Sequence, residues 1–342
     1  MSETGARQWF DAGAVEESDG VYRIPLPLAD PSLRATNVYA IESEQGLTLV
    51  DAGWALDEAR EALSDGLVSI GRTLADVHDI LVTHIHADHY TLAMPIRRLS
   101  GATVALGSGE RNFLDNAIRQ IHPGNFLFPY LEQAGADEVV GKLIADGFGR
   151  LLPAGSWELP ARWLEGGEAF RISEDRNLRV LATPGHTRGH MVFIDDVAGL
   201  TFSGDHILPA ITPSIGYETP LADSPLSDYL VSLQLTVDGP DTILLPAHGS
   251  PALSTNDRAR ELLEHHRVRL QASLEAVEDA GSSGLQVARG LRWTRRAKNF
   301  EELNPMNQML AVTETVAHLK VLVERRDLEV VVRGDRHIYR RR

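Results

Sequence analysis

The chain has 342 residues, a formal net charge of −15, 43% hydrophobic and 24% charged residues. Those proportions allow a sizeable buried core, and no apolar run approaches the ~20 residues needed to span a bilayer. The acidic balance argues against a surface coated by nucleic acid. Cysteine is absent, so disulfides and thiolate ligands are excluded and any metal must be held by imidazole and carboxylate.

The first twenty residues lack the basic and apolar regions of an export signal, so a cytoplasmic location is expected. Val21–Pro27, Asn37–Ile41 and Leu47–Val50 read as strands, the last running into Asp51-Ala52-Gly53. Leu56–Leu67 has helical spacing, Ile80–Thr83 is a compact apolar strand, Thr91–Ser100 reads as a helix and Thr103–Leu106 as a strand. Residues 109–155 are helical and irregular, with Phe113, Phe126, Phe128 and Tyr130 scattered through them. They are either a cap over a cleft or an ordinary helical excursion. Strands resume at Leu178–Ala182, Met191–Ile194, Leu200–Ser203 and Thr242–Leu245, with a helix at Ser227–Val237. Asp257–Ala280 reads as a long helix, Ala280–Gly284 as a linker, Asn307–Arg326 as a helix, and Leu328–Val332 with His337–Tyr339 as a hairpin. The expected organisation is a catalytic domain at 1–255, with 109–155 inserted, and a C-terminal region at 256–342. From Gly281 onward thirteen Lys and Arg face seven Asp and Glu, an excess of six that leaves −21 for the rest.

Four of the apolar strands run into a turn bearing His or Asp. The segment LVTHIHADH places His84, His86, Asp88 and His89 within six positions; the others lead to His186 and His190, to Asp205 and His206, and to His248. Strand ends deliver side chains from a rigid sheet, and imidazole with carboxylate suits a borderline-hard divalent ion. The candidates outnumber one tetrahedral shell. Seven of them allow two metal ions: His84, His86 and His186 around one, Asp88, His89 and His248 around the other, and Asp205 between. Two such ions at roughly 3.5–4 Å would make a shared water acidic enough to be hydroxide near neutral pH.

THIHADH (83–89), TPGHTRGH (183–190), FSGDH (202–206) and PAHG (246–249), with VDAG (50–53) upstream, resemble the metallo-β-lactamase-fold superfamily. The resemblance implies an α+β fold, an αββα sandwich, with a dinuclear centre on one edge, and it carries those ligand roles onto the seven residues above. It matches Asp51 to an acid that steadies the site, while His190 supports the ligands from behind. It implies two divalent ions, with Zn2+ favoured and Fe or Mn as alternatives. Members with a redox di-iron centre typically carry Glu where His86 stands, which favours hydrolysis. Lactonase members commonly carry Tyr where Leu208 stands, which disfavours lactones, and β-lactamase activity is disfavoured by the missing export signal.

The TPGHT and GDH segments look like those of thioesterases. The expected activity is hydrolysis of a thioester or related acyl ester by metal-bound hydroxide, with Asp88 orienting the nucleophile and shuttling its proton. The partner is then a small acyl substrate, and no membrane is involved. His206, Tyr217, Phe126 and Phe128 are candidate substrate contacts, His206 equally a core residue. The alternative is a metal-dependent endoribonuclease or phosphodiesterase. Residues 307–339 resemble a winged-helix-like tail, and Arg292, Arg295, Arg296, Lys298 and Arg340–Arg342 could meet phosphate. Against it stands a reading in which the tail packs on the catalytic domain, shapes the cleft or mediates a homodimer, and nucleic acid is not the favoured partner.

Overall fold

The computed structural model describes residues 8–28, 33–153, 155–294 and 298–342. Seven strands form the first sheet in sequence order: β1 (Val15–Ser18), β2 (Val21–Pro27), β3 (Ala35–Ser43), β4 (Gly46–Val50), β5 (Val77–Leu81), β6 (Thr103–Gly107) and β7 (Arg162–Leu164). The first four pair antiparallel, and pairing is parallel from β4 to β7. The second sheet runs β12-β11-β10-β9-β8, built from β8 (Ala169–Arg171), β9 (Asn177–Ala182), β10 (Met191–Asp195), β11 (Leu200–Gly204) and β12 (Ile243–Pro246).

Alternation along the strands creates the layers. On β3, Tyr39 and Ile41 point to the second sheet and pack with Phe193, Phe202 and Leu245. Val38 and Ala40 point the other way, into a core shared with Leu63 and Leu67 of α1 (Asp57–Ser69). Past the short α2 (Ala87–Tyr90), α3 (Ala93–Ser100) adds Ala93 and Ile96 to that outer core. The expected αββα sandwich is the fold observed.

From the insertion, α4 (Arg111–Ile118) adds Leu114 to that outer core, whereas the third core is built mainly by α5 (Gly124–Gln133) and α6 (Asp137–Ala145), then α7 (Pro225–Asp238), α8 (Thr255–Glu275), α9 (Gly284–Gly290) and α10 (Pro305–Glu324). Leu131, Val139, Tyr229, Leu262, Val312 and Leu328 belong to one continuous cluster. The insertion is therefore held by the C-terminal helices. A small sheet, β13 (Ser282–Ser283), β15 (Arg336–Arg341) and β14 (Leu328–Arg333), closes this end.

Two local expectations are corrected. The strand expected at Ile80–Thr83 stops at Leu81, so Val82 and Thr83 already belong to the turn that delivers His84. The stretch expected as a linker at Ala280–Gly284 is ordered: Ser282 and Ser283 are buried and pair with Tyr339 and Ile338. Its Gly-Ser composition imitates a linker, but Ser283 and Gln286 form a reciprocal cap that starts α9.

Candidate metal centre

The strands β4, β5, β9, β11 and β12 end on one edge, and the residues just beyond them carry the site. Two backbone bonds fix one turn to the next. The Met191 amide donates to the Thr83 carbonyl at 2.8 Å, tying the two sheets together, and the Asn37 amide donates to the Ala247 carbonyl at 2.7 Å. Short α2 brings His89 back beneath His84, their ring centroids 4.0 Å apart.

The candidate donor atoms of His84, His86 and His186 lie within 4.8 Å of one another, and so do those of Asp88, His89 and His248. Asp205 stands between the groups: its carboxylate is 3.6 Å from His186 Nε2, 3.8 Å from His89 Nε2 and 3.4 Å from His248 Nε2. Residues from four distant turns thus converge, and the donor atoms of His84, His89 and Asp205 also lie within 4.8 Å of one another, which joins the two groups.

Hydrogen bonding orients most of the imidazoles. His186 Nδ1 donates to the Ser214 carbonyl at 2.7 Å, His248 Nδ1 to the Ala35 carbonyl at 2.8 Å and His89 Nδ1 to Asp51 at 2.8 Å. Each therefore directs its Nε2 inward. His84 Nδ1 lies 3.1 Å from the Thr83 hydroxyl, which itself donates to Asp51. His86 differs in presenting Nδ1, which lies 2.9 Å from His84 Nε2 and 3.1 Å from His186 Nε2. Lone-pair nitrogens at such separations repel unless a cation or proton sits among them. His89 Nε2, His248 Nε2 and Asp205 Oδ1 are buried without a hydrogen-bond partner, which burial makes costly.

The electrostatics make the same demand. Burial, then the neighbouring imidazoles, holds His84 well below the usual histidine range and takes His86 down to about 3. Burial works to raise Asp88, but His89, His248 and His86 outweigh it and bring it down to about 2. At His89 burial is outweighed by Asp88, Asp51 and Asp205, which push it up to about 10. Imidazoles held neutral beside ionised carboxylates offer lone pairs and negative charge to a cation. The donor set fits divalent metal.

Asp51 occupies a left-handed backbone position, φ 61°, and accepts from the Thr83 amide and hydroxyl as well as from His89. His190 has both nitrogens engaged: Nε2 accepts from the Asp205 amide at 3.2 Å, and Nδ1 lies 2.9 Å from the Thr183 hydroxyl. It has no lone pair left for metal and fixes Asp205 instead. His206 is buried with Nε2 beside the Thr236 hydroxyl, on the α7 side behind the donors. Its candidacy as a substrate contact is corrected on that ground: its ring packs on His190 and Tyr229. Tyr217 does stand beside the donors, its ring centroid 6.0 Å from that of His86. Phe128 packs against His122 and Phe148 at the edge of the helical core, and Phe126 is half-buried on the same helix.

Sequence reading missed the supports on β3. Thr36 donates to Asp88 at 3.1 Å, Asn37 Nδ2 donates to the carbonyls of Pro246 and Gly249, and the Tyr39 hydroxyl donates to Pro246. The available signal was a Thr-Asn pair inside an otherwise apolar strand.

Of the basic C-terminal residues, Arg341 donates to the carbonyls of Leu274 and Glu275 at the end of α8. Arg336 donates to the Glu132 carbonyl at the end of α5 and pairs with Asp137 at 2.6 Å. Cations at helix C-termini complement the exposed carbonyls there. Arg292 donates to Asn299, and Arg295 and Arg296 lie outside the described residues. No helix among the described residues is long and apolar enough to cross a membrane.

Comparison with known proteins agrees with this geometry. Residues 31–248 match the model of the metallo-beta-lactamase superfamily. The chain is 26% identical over 308 residues to the probable metallo-hydrolase YqjP of Bacillus subtilis, covering 88% of this chain and 90% of that protein. It is 30% identical over 177 residues to the hydroxyacylglutathione hydrolase GloC of Haemophilus influenzae, covering 50% and 68%. The crystal structure of a metallo-beta-lactamase family protein from Thermus thermophilus superposes with a TM-score of 0.79 at 28% identity, covering 96% of this chain and 100% of that one.

Proposed function

The chain belongs to the metallo-β-lactamase superfamily, a superfamily of metallo-hydrolases, and on that premise we propose that it hydrolyses an acyl thioester or related acyl ester with two divalent ions, Zn2+ foremost. The observation that carries the proposal is the pair of facing donor triads with the Asp205 carboxylate between them. His84, His86 and His186 would hold one ion and Asp88, His89 and His248 the other, with Asp205 reaching both. When bound, such ions supply Lewis acidity that ionises water near neutral pH and polarises a carbonyl.

The chain's own groups do the rest. Asp51, the Ser214 carbonyl and the Ala35 carbonyl hold the imidazoles in the tautomer that offers Nε2. Thr36 fixes Asp88 Oδ2, leaving Oδ1 to accept the nucleophile's proton and return it to the departing thiol or alcohol. Tyr217 offers an aromatic wall beside His86 for the acyl part.

Two facts support carbon over phosphorus as the reacting centre. A relative named for hydroxyacylglutathione matches half of this chain, and Arg336 and Arg341 are spent on helix ends and Asp137, which leaves less of the basic tail to track phosphates. The deciding experiment strips the protein with chelator, restores Zn2+, and assays an acyl-CoA, an acylglutathione, a lactone and a structured RNA. Zinc-dependent thioester turnover is expected. RNA cleavage without thioester turnover would overturn the proposal.

A further inference from the structure

Glu110 is a fully buried acid outside the donor set, used by nothing above. Glu110 follows β6, a strand that supplies no donor, and its side chain is inaccessible to solvent. The Thr187 hydroxyl donates to its Oε1 at 2.5 Å. Its Oε2 is buried without a hydrogen-bond partner. Thr187 follows His186. A carboxyl that follows a strand of the first sheet therefore holds the turn of the second sheet that carries His186.

The backbone around it is closely packed. A Cβ on Gly189 would fall 2.5 Å from Glu110 Cγ and from the Glu110 amide nitrogen, and one on Gly109 would fall 2.7 Å from the Arg188 carbonyl. Gly107 meets the Gly189 carbonyl in the same way. The main chains after β6 and around Gly189 are in direct contact, so the Glu110 side chain starts from a fixed point. On the far side the same turn is latched by Glu218, whose Oε1 accepts from the Arg188 amide at 3.2 Å. Burying a carboxyl where an aliphatic group would fill the space is costly, and only a polar group can accept from the Thr187 hydroxyl.

We propose that Glu110 is a positioning residue for the donor set: it locks the His186 turn of the second sheet to the segment after β6 of the first and so holds the His186 imidazole at its distance from His84 and His86. The inference rests on the metal reading above. Because the contacts are those of an acceptor, glutamine preserves the grip on Thr187 while alanine removes it.

The test is Zn2+ binding to metal-free protein, in competition with a chromophoric chelator, with circular dichroism confirming the fold. Wild type takes up two equivalents, and His86→Ala identifies the one belonging to the first triad. Glu110→Ala should weaken that equivalent roughly 10- to 100-fold and leave the other within about threefold, while Glu110→Gln stays within about threefold at both. Thr187→Val removes only the hydroxyl and should reproduce the selective loss; it decides the matter if Glu110→Ala does not fold. Unchanged binding in both the alanine and valine variants, or equal loss of both equivalents, overturns the role of Glu110. A wild type that binds no Zn2+ overturns the metal reading itself.

Discussion

Two regions of the molecule bury histidines close together, and they behave differently. At the sheet edge, five imidazoles and two carboxylates converge with their Nδ1 atoms mostly tied outward and their lone pairs turned inward. In the helical end, His266 of α8 and His318 of α10 lie 3.1 Å apart. There His318 Nδ1 donates to the Glu314 carbonyl at 2.7 Å, so its Nε2 accepts from His266 Nδ1. The pair forms a chain of donors and acceptors and gathers no third ligand among the described residues. Proximity of histidines is therefore a weak sign of metal; lone pairs left facing one another beside unpaired carboxylate oxygen are a strong one.

The sharpest way to break that contrast is to delete one histidine from each region. His84→Ala should cost turnover about a thousandfold, as expected when several kcal/mol of Lewis-acid assistance are lost, together with bound zinc by elemental analysis. His318→Ala should keep both zinc equivalents. If the two variants lose metal alike, the contrast is wrong. Asp51→Asn comes next: it disturbs the tautomer of His89 without removing a donor, and a loss of roughly 10- to 100-fold in zinc affinity is expected.

Smaller effects concern stability. His318→Ala leaves His266 Nδ1 without its acceptor, which should cost about 1–3 kcal/mol in urea unfolding. Burial, then Arg269 and His265, takes His318 down to about 4, against the pull of the Glu314 carbonyl. A histidine whose folded value is depressed stabilises the fold above its ordinary value of 6.5 and loses that contribution as pH falls toward about 4. Wild-type stability should decline over that window, and His318→Gln should flatten the decline at equal zinc loading. A parallel pH profile in the variant would rule out this source. The smallest change is expected from Arg341→Ala, which removes a cation from the end of α8: a loss of about 1 kcal/mol or less, with thioester turnover unaltered. Turnover that falls sharply would mean the tail reaches the substrate.

Much of the edge was legible because clustered histidine and aspartate are hard to disguise. No packing requirement calls for His-x-His-x-Asp-His after an apolar strand, and the other turns each announce themselves by glycine beside His or Asp. The sandwich strands were legible by their apolar runs, with β3 and β4 facing two cores at once. The supports were harder to read. Asn37 and Tyr39 act on a turn more than two hundred residues away, and Glu110 looks like an ordinary surface acid at a helix start. The basic tail invited a phosphate reading because charge counts do not say where an arginine points.

The sequence by itself determined the chemistry on offer: with no cysteine and a surplus of clustered histidine, only an imidazole–carboxylate centre could form. Tertiary structure alone decided which nitrogen of each ring faces inward, that His190 and His206 are withheld from the cleft, and that the insertion joins the C-terminal helices in one core. The reason is physical. A residue's donor and acceptor capacity is fixed by its covalent structure, whereas its direction is set by whichever distant carbonyl or carboxylate it meets when the chain closes.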